Sequence, residues 1–423
     1  MGFRTNIILL YSDSLRRDFS ACLIIKEILR ANGYKTFICS RRNFGLFIKV
    51  LKPRKIFIIG QIDMIYNERI IKEAKAGELE VHFMPAEGFA YDSEYVVMYP
   101  AKNDYDFLKS VFFWGKNSLG WFVKNRNIDD TEKLIQAGYS RLPIATAYSE
   151  VVKKDTKKVG FIGRFPAVND LYKRSVMSFY LVEELAENRY KTMARLDAES
   201  KAINAYLDFF EKIIQQTDYT ISLRPHPNEN LNTYAALKKK YGERFEINND
   251  FDVAEWMSEC RAIVGLASSS YIDAYLVKTP VICLDVLLGS SKSTLQFDPG
   301  LEWMYESCYL PETIEEAMQL LVQENLPPVA KQRFVDLIEN DFKGNSELVF
   351  DTVTDKIMET PRKNSPLDGL YLLGMHVFDM ALATRHKIKK NTALQFDFSY
   401  YYHPLSLNLK AIAQRIRKKL RAE

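Results

Sequence analysis

The sequence predicts an α/β protein made of two doubly wound halves followed by a helical segment. Short apolar runs of strand length alternate with amphipathic runs of helix length through most of the chain. The alternation restarts after a polar stretch at residues 149–157, which we interpret as a linker. The chain has 423 residues, 47 % of them apolar, which is enough for two hydrophobic cores. Strands separated by helices require crossover connections, so each sheet should be mostly parallel.

The first half contains four predicted strands. Residues 6–11 (NIILLY) are almost all apolar, as expected for a strand that is covered on both faces. A helix at 19–31 follows, and Gly33 ends it. The other strands are predicted at 35–39, 55–59 and 80–84, with a second helix at 68–76.

The second half repeats this pattern. Residues 158–162 (KVGFI) are its first predicted strand, followed by a polar, mostly helical insertion and then by strands at 219–223, 245–247, 262–264 and 280–284. Two such halves in series follow the GT-B plan, in which a ligand cleft lies between the carboxyl-end loops of two Rossmann-like domains. Any other pair of Rossmann-like domains is the alternative. We assign domains at 1–150 and 151–345 and a helical C-terminal extension at 346–423.

The charge distribution excludes one large class of partners. Lys and Arg total 58 and Asp and Glu 54, for a net charge of +4, and the last 19 residues contain six bases and one acid. The rest of the chain is therefore nearly neutral, whereas a protein that coats nucleic acid has a basic body. The first apolar run is too short for a signal peptide, so the cytoplasm is the expected location.

Familiar metal and nucleotide motifs are absent or have a simpler interpretation. Five scattered cysteines show no paired spacing, and HExxH, GxxxxGK[ST] and GxGxxG do not occur. Two Asp-x-Asp pairs, 104/106 and 250/252, have the shape of a metal-binding motif, but each precedes a predicted helix, where Asp caps the first turn. We expect Trp114, Trp121, Trp256 and Trp303 to be packing residues, and we expect no metal ion or cofactor.

The strongest motif is Arg224-Pro225-His226-Pro227-Asn228, directly after a predicted strand. Two prolines restrict the loop and prevent it from continuing the sheet. The loop therefore holds one imidazole, with the Arg224 cation and the Asn228 amide, at the sheet edge where ligands bind in such folds. The simpler alternative is a strand-ending turn whose histidine caps a backbone group.

A second motif follows the strand predicted at 262–264. After the turn Gly265-Leu266-Ala267, three consecutive serines, Ser268, Ser269 and Ser270, open a predicted helix at 271–277. Three hydroxyls beside the N–H groups of a helix start form an anion site. Simple N-capping, for which one serine suffices, is the alternative.

A third motif, Met84-Pro85-Ala86-Glu87-Gly88, follows a strand of the first half. In a GT-B arrangement Glu87 would face the histidine loop from the opposite wall, and Gly88 would allow close backbone approach. Most Glu-Gly pairs are ordinary turns, which is the alternative interpretation.

Together these residues resemble the GT-B enzymes that transfer acidic sugars from CMP-activated donors, which include bacterial sialyltransferases and β-Kdo transferases of capsule and O-antigen synthesis. The stretches RPHPNEN and SSSYIDAYLVKTPVI, with MPAEGF and FWG, are most similar to the bacterial surface carbohydrate biosynthesis proteins. The resemblance covers residues 5–340. Glycerophosphotransferases of teichoic acid synthesis also carry RPHP and Ser-Ser motifs and remain an alternative.

The resemblance implies roles for particular residues. The His-Pro loop and the serines would hold the CMP part of the donor, and Glu87 would transfer a proton to or from the acceptor. Retention of configuration by double displacement requires a carboxylate nucleophile. Asp197, which lies 29 residues before His226 and opens the predicted helix, is the candidate, with Asp170 as its competitor. The implied donor-binding residues are Arg224, His226, Pro227, Asn228, Ser268, Ser269 and Ser270.

Two features depart from the family pattern. Arg141-Leu142-Pro143 stands where a Gly-Asn-Pro-Arg-like turn is expected, and the insertion at 171–193 is unusual. They leave the acceptor and the stereochemical outcome open.

The C-terminal tail, residues 405–423, has apolar residues every three to four positions with bases between them. A basic amphipathic helix of this kind can lie on an anionic inner-leaflet surface. A solvated helix docked on its own protein is the alternative. The apolar positions are Leu405, Leu409, Ile412, Ile416 and Leu420.

We therefore expect a glycosyltransferase of bacterial surface polysaccharide synthesis that transfers Kdo from CMP-Kdo to a glycan or lipid-linked glycan. His226, Arg224 and a helix start can neutralise one phosphate without a divalent ion, so the enzyme is expected to be metal-independent. A sialyltransferase and a CDP-glycerol-type polyol-phosphate transferase are the alternatives within the enzyme class. A non-catalytic glycan-binding assembly protein is the alternative of another class.

Overall fold

The computed structural model contains two parallel sheets, one in each of two compact units. Unit 1 consists of Met1–Ala147 and Leu337–Glu423, and unit 2 of Tyr148–Asp336. The expected α/β architecture with two parallel sheets is thus confirmed. The residues that the structure describes are 4–89, 99–101, 105–171, 173–175, 189–249, 251–288, 302–361, 365–388 and 411–414.

The sheet of unit 1 has its strands in the order β2-β1-β3-β4-β5-β6, and all pairs are parallel. Nearly every residue of the first four strands is buried, because helices cover both faces of a parallel sheet. The strands are β1 (Thr5–Ser12), β2 (Thr36–Ser40), β3 (Pro53–Gly60), β4 (Glu80–Pro85), β5 (Ser110–Phe113) and β6 (Leu134–Gln136).

The sheet of unit 2 has the order β11-β10-β7-β8-β9, again with parallel pairs. Its strands are β7 (Asp155–Ile162), β8 (Thr220–Arg224), β9 (Phe245–Ile247), β10 (Cys260–Gly265) and β11 (Val281–Cys283).

The α-helices lie between the strands and after the second sheet. In the first half they are α1 (Phe19–Ala31), α2 (Phe44–Leu51), α3 (Glu68–Lys75), α4 (Lys116–Arg126) and α5 (Leu142–Val151). In the second half they are α6 (Arg189–Gln216), α7 (Ala235–Tyr241), α8 (Val253–Glu259), α9 (Tyr271–Leu276), α10 (Ile314–Val322), α11 (Gln332–Val335), α12 (Val349–Met358) and α13 (Pro366–Ile388).

The core of unit 2 is built where α6 crosses the sheet. Tyr206, Phe209, Phe210 and Ile213 recur at helical spacing, are buried, and face Phe161 of β7. The Phe161 and Phe210 rings meet edge to face with centroids 4.7 Å apart. This packing fixes α6 against the strand whose carboxyl end begins the site described below.

From Leu337 onward the chain returns to unit 1. The Asp341 carboxylate accepts a hydrogen bond from the backbone N–H of Asn117 at 3.0 Å and so caps the start of α4, where Gly115 has no side chain to do this. Buried Lys55 of β3 donates to the carbonyls of Ile357 and, at 2.7 Å, Thr360. These bonds join segments after Leu337 to the first sheet, and the domain bounds at 150 and 345 stay a prediction.

Several local expectations are confirmed and others are wrong. The helix at 19–31 has the predicted bounds, and Gly33 follows it with a positive φ of 83°. Within the predicted linker at 149–157, α5 extends to Val151 and β7 begins at Asp155, so three residues separate the two elements. The short strands β5 and β6 were not predicted.

The Asp-x-Asp pairs differ in their outcome. Asp252 caps α8, accepting from the backbone N–H of Ala254 at 2.9 Å, as expected. Asp106 precedes strand β5 rather than a helix, so the predicted helix start is wrong there. Asp104 and Asp250 lie outside the described residues.

The tryptophans and the tail complete the comparison. Trp114, Trp256 and Trp303 are buried, as predicted for packing residues. Of the tail only 411–414 is described; it is helical, and Ile412 of the predicted apolar stripe is buried within the protein. The rest of 405–423 lies outside the described residues. Within the described chain, no helix has the length and apolarity that crossing a membrane requires.

Candidate functional site

Three loops of unit 2 leave neighbouring strands at one edge of the sheet. β7 lies between β8, the next strand in the chain, and β10, so the strand order reverses between β7 and β10. Ligands bind at the carboxyl ends of strands at such a switch point. The loop after β7 begins with Gly163, His226 follows β8, and Ser268 follows β10. Since neighbouring strands are about 4.8 Å apart, the histidine and serine loops leave strands about 10 Å apart.

His226 is oriented by its own loop. The backbone N–H of Asn228 donates to Nδ1 of His226 at 3.2 Å. A ring nitrogen that accepts a hydrogen bond carries no proton, so the neutral imidazole is protonated at Nε2. The imidazole is half-buried, Pro225 is buried, Pro227 is half-buried and Asn228 is exposed. The ring nitrogen that faces away from the loop backbone is therefore Nε2, which donates a hydrogen bond and does not act as a base.

Glu229, the residue after Asn228, ties the histidine loop to the loop after β7. Its side chain is 1 % exposed, and its Oε1 accepts from the backbone N–H of His226 at 2.8 Å and of Phe165 at 3.0 Å. The Tyr234 hydroxyl donates to Oε2. Burial raises the pKa of Glu229 to about 7, although these hydrogen bonds favour the ionised form.

Gly163 lets the two loops approach each other. Its N–H donates to the carbonyl of Arg224 at 2.8 Å. A Cβ at this position would lie 2.8 Å from Cα of Pro225 and 3.0 Å from Oε1 of Glu229. The β7 loop thus requires glycine for close packing rather than for its backbone dihedrals.

Two arginines occupy this edge in different ways. Arg224 is buried, with its guanidinium 5.5 Å from the centre of the Trp256 ring and donating to Oδ1 of Asn248. Arg224 ends β8, so these contacts hold the point where the histidine loop leaves the strand. Arg164 is half-buried at the switch point and donates to the carbonyl of Ala267, which joins the β7 loop to the serine loop.

The serine loop is half-buried and internally bonded. The hydroxyls of Ser268 and Ser270 are 2.8 Å apart, and the hydroxyl of Ser268 accepts from the N–H of Ser270 at 3.3 Å. The N–H groups of Tyr271 and Ile272 donate to the carbonyls of Ser268 and Ser269. The helix N–H groups are therefore engaged more than expected, and the serine hydroxyls supply the polar surface of this loop.

The two predicted carboxylates lie in different environments. Asp197 does not open a helix, because α6 begins at Arg189 and continues without Gly or Pro to Gln216. Its side chain is 64 % exposed and pairs with Lys201 at 2.7 Å. Asp170 lies in the site loop with its side chain 7 % exposed: it pairs with Arg174 at 2.6 Å, and its backbone forms a β-bridge with Glu229. The role of either residue as nucleophile stays a prediction.

Glu199, two residues after Asp197, faces inward instead. Its Oε2 accepts from the backbone N–H of Ala167 at 2.7 Å and of Val168 at 3.1 Å, and its Oε1 pairs with Arg195. Burial raises the pKa of Glu199, and Arg195 opposes this shift. Two buried glutamates, Glu199 and Glu229, therefore hold the loop after β7.

Glu87 belongs to unit 1, in the turn after β4. Its Oε1 pairs with Nη1 of Arg17 at 2.7 Å, and Arg17 also donates to Asp18 at 3.1 Å. Burial raises the pKa of Asp18 to about 6, although Arg17 favours its ionised form. Arg141 donates to the carbonyl of Arg17, so the segment that departs from the family pattern holds the same loop.

The MPAEGF and FWG motifs pack against each other in unit 1. The Trp114 indole N–H donates to the carbonyl of Pro85 at 3.1 Å, and the Phe89 and Trp114 rings are 5.6 Å apart. A Cβ on Gly88 would lie 2.7 Å from the Trp114 ring. The close approach that Gly88 allows is therefore to a tryptophan of the same unit.

Sequence reasoning missed the supporting residues of this site. Glu229 lies inside the quoted RPHPNEN motif, and Gly163-Arg164 follows a correctly predicted strand, so both positions offered a signal. Glu199 offered no such signal, because nothing in the neighbouring sequence distinguishes it from other glutamates on a polar helix. Within the described residues, no group of three or more His, Cys, Asp or Glu side chains is arranged to hold a metal ion.

Comparisons with known proteins identify the fold. No family model matches the chain, and no curated protein matches its sequence. A histidine-to-asparagine variant of the wall teichoic acid polymerase TagF is similar, with a TM-score of 0.52, 13 % identity, and coverage of 85 % of this chain and 90 % of that one. TagF itself has a TM-score of 0.51 and 14 % identity, with coverage of 84 % and 90 %.

A weaker likeness is to UDP-GlcNAc 2-epimerase from Methanocaldococcus jannaschii in complex with UDP-GlcNAc and UDP. It has a TM-score of 0.46 and 11 % identity and covers 84 % of this chain and 99 % of that one. The chain has the α/β fold of GT-B proteins with a helical C-terminal region, and the predicted fold class is confirmed.

Proposed function

We propose that the chain is a GT-B transferase that uses a nucleotide-activated donor in the synthesis of a cell-surface polymer. One observation carries this proposal: the loops after β7, β8 and β10 bring Arg164, His226 and the serine hydroxyls to one switch point. A cation, an oriented N–H donor and hydroxyls are the groups that bind a phosphate.

The chemistry of transfer explains why these groups are needed. When the donor bond breaks, negative charge grows on the departing nucleotide phosphate. Nε2–H of His226 and the Arg164 guanidinium would stabilise that charge, and a hydroxyl of the Ser268–Ser270 pair would donate a hydrogen bond to a phosphate oxygen. We propose that no divalent ion is required.

For the donor we propose a cytidine nucleotide, with CMP-Kdo preferred and a CMP-sialic acid as its close variant. A CDP-glycerol-type polyol phosphate is the second candidate. The RPHP and Ser-Ser motifs favour it, and TagF, which shares the fold, was solved with CDPG. Attack at phosphorus needs no carboxylate nucleophile, whereas retaining transfer of Kdo does. The exposed position of Asp197 therefore makes Asp170 the first residue to test for a retaining mechanism.

For the acceptor we propose a glycan or lipid-linked glycan, with Glu87 as the proton-transfer group. We also propose that residues 405–423 contact the inner membrane and that the protein lies in the cytoplasm. Deletion of 405–423 should lower partition of the protein to anionic vesicles. Unchanged partition would reject this contact.

The decisive experiment is His226→Asn in the full chain. Asn Oδ1 can still accept from the backbone N–H two residues on, so the loop is preserved while the outer N–H donor is lost. We expect CMP and CDP to bind about tenfold more weakly by calorimetry, which corresponds to about 1.4 kcal/mol. His376→Asn, the same substitution on α13, should bind like the unsubstituted protein.

The outcomes separate the candidates. Slow hydrolysis of CMP-Kdo without acceptor supports the preferred donor, and release from CDP-glycerol alone supports the second candidate. Equal nucleotide binding by His226→Asn and the unsubstituted protein would refute the proposed nucleotide site at His226. If folded His226→Asn and Glu87→Gln variants leave polymer production unchanged, the chain is a non-catalytic assembly protein.

A further inference from the structure

Helix α13 packs on unit 1 with its polar side inward. Asp368, Met375 and Asp379 share one face of the helix and are buried. On the opposite side, Leu370, Leu373 and Val377 are 67 %, 61 % and 53 % exposed. A helix that meets only water and its own protein shows the reverse arrangement.

The inward carboxylates fix this orientation. Asp368 accepts from the backbone N–H of Asn6 at 3.0 Å and of Ser365 at 2.6 Å, so it joins the helix start to β1. Asp379 lies close enough to buried Lys26 of α1 to interact with its charge. Rotating the helix to hide its leucines would break both contacts and take the Asp379 carboxylate away from the buried Lys26 ammonium.

Helix α2 continues the apolar surface. Leu46 and Val50 of α2 are exposed, and the rings of Phe47 and Phe378 are 5.9 Å apart, edge to face. Between the helices lies an open groove of about 770 Å³. We call the surface that these two helices form the α2–α13 surface. Its exposed apolar members are Leu46, Val50, Leu367, Leu370, Leu373, Val377, Phe378 and Met380.

The charges around the α2–α13 surface have one sign. Arg42, Lys49 and Lys52, in and beside α2, are exposed bases. Neither α2 nor the part of α13 whose side chains are described exposes a carboxylate, since both acids of α13 are buried. In the sequence, the last turn of α13 contains Arg385 and Lys387 and no acid. On the described side chains of α2 and α13 and at Lys52, the exposed charges beside this apolar face are therefore bases, which makes the face complementary to an anionic bilayer.

We propose that the α2–α13 surface is a membrane-docking surface, which lies in the interfacial plane of an anionic bilayer. At about 1.5 Å per residue the 23 residues of α13 would extend about 35 Å along the membrane. The apolar side chains enter the boundary between headgroups and acyl chains, and the bases pair with lipid phosphates. The surface belongs to unit 1, whereas the proposed donor site belongs to unit 2.

The test uses Leu370→Glu/Val377→Glu in the full chain. We expect its partition to phosphatidylglycerol-containing vesicles in a sedimentation assay to fall about tenfold or more, because two inserted apolar groups become charged. Val322→Glu, which adds one such charge at a residue 48 % exposed on α10, should partition like the unsubstituted protein. Lys49→Ala/Lys52→Ala should weaken binding and make it less sensitive to salt.

Two results would overturn the proposal. One is equal vesicle partition by Leu370→Glu/Val377→Glu and the unsubstituted protein. The other is an unsubstituted dimer in solution that this variant converts to a monomer while neither protein binds vesicles, which would assign the surface to self-association. An unchanged urea-unfolding midpoint of the variant, measured in parallel, shows that it is folded.

Discussion

Glu229 should make the stability of unit 2 depend on pH in a defined direction. Its pKa is raised by burial to about 7 from an ordinary value of 4.5, and the nearby Glu199 carboxylate adds to the shift. Below pH 4.5 the group is protonated in the folded and the unfolded chain, and its full contribution to stability is present. As pH rises toward 7 the unfolded chain releases this proton first, so that contribution is lost. A shift of this size corresponds to about 3 kcal/mol.

Glu229→Gln isolates this effect. The amide oxygen can accept from the N–H groups of His226 and Phe165, and the amide nitrogen can donate to the Tyr234 hydroxyl, but the group does not ionise. We expect the variant and the unsubstituted protein to have similar unfolding free energies at pH 4.5. At pH 8 the variant should be more stable by about 3 kcal/mol.

Urea unfolding followed by tryptophan fluorescence, to which buried Trp256 of unit 2 contributes, measures both free energies across this range. Glu243→Gln is the matched control, because the Glu243 side chain is exposed and its loss should leave the pH dependence unchanged. A difference between Glu229→Gln and the unsubstituted protein that stays constant from pH 4.5 to 8 would refute the reasoning.

Two further substitutions test the site loops. Gly163→Ala places a Cβ 2.8 Å from Cα of Pro225, so we expect about 1–3 kcal/mol of destabilisation by urea unfolding and weaker CMP binding; an unchanged midpoint would show that the loops separate freely. Asp197→Asn removes an exposed pair with Lys201 that contributes about 0.3–0.5 kcal/mol, so turnover with the donor should be retained. Loss of turnover in folded Asp197→Asn would instead identify the nucleophile.

The strands with long apolar runs could be predicted because burial on both faces leaves a direct compositional record. β1, β3 and β4 were each placed within two residues of their bounds, and the loops after β8 and β10 were placed at strand ends. Loop position follows from strand position in a parallel sheet, so the candidate residues His226 and Ser268 could be chosen without a structure.

Which side of a helix faces the core could not be predicted for α6. Asp197 and Glu199 stand two positions apart, which is about 200° around the helix axis, so they point in opposite directions. Both are acids in a polar stretch, and their sequence context does not distinguish them. Only the packing of α6 against β7 placed Glu199 inside and Asp197 in solvent.

The sequence by itself determined the class of fold, the strand ends and the loops that carry the imidazole and the serines, because backbone periodicity and prolines act locally. The tertiary structure decided which groups support those loops and which faces remain uncovered. Glu229 joins segments 64 residues apart through the N–H of Phe165, and Asp368 joins α13 to a residue 362 positions away. Such contacts depend on burial and on the distance between atoms, which are properties of the folded chain alone.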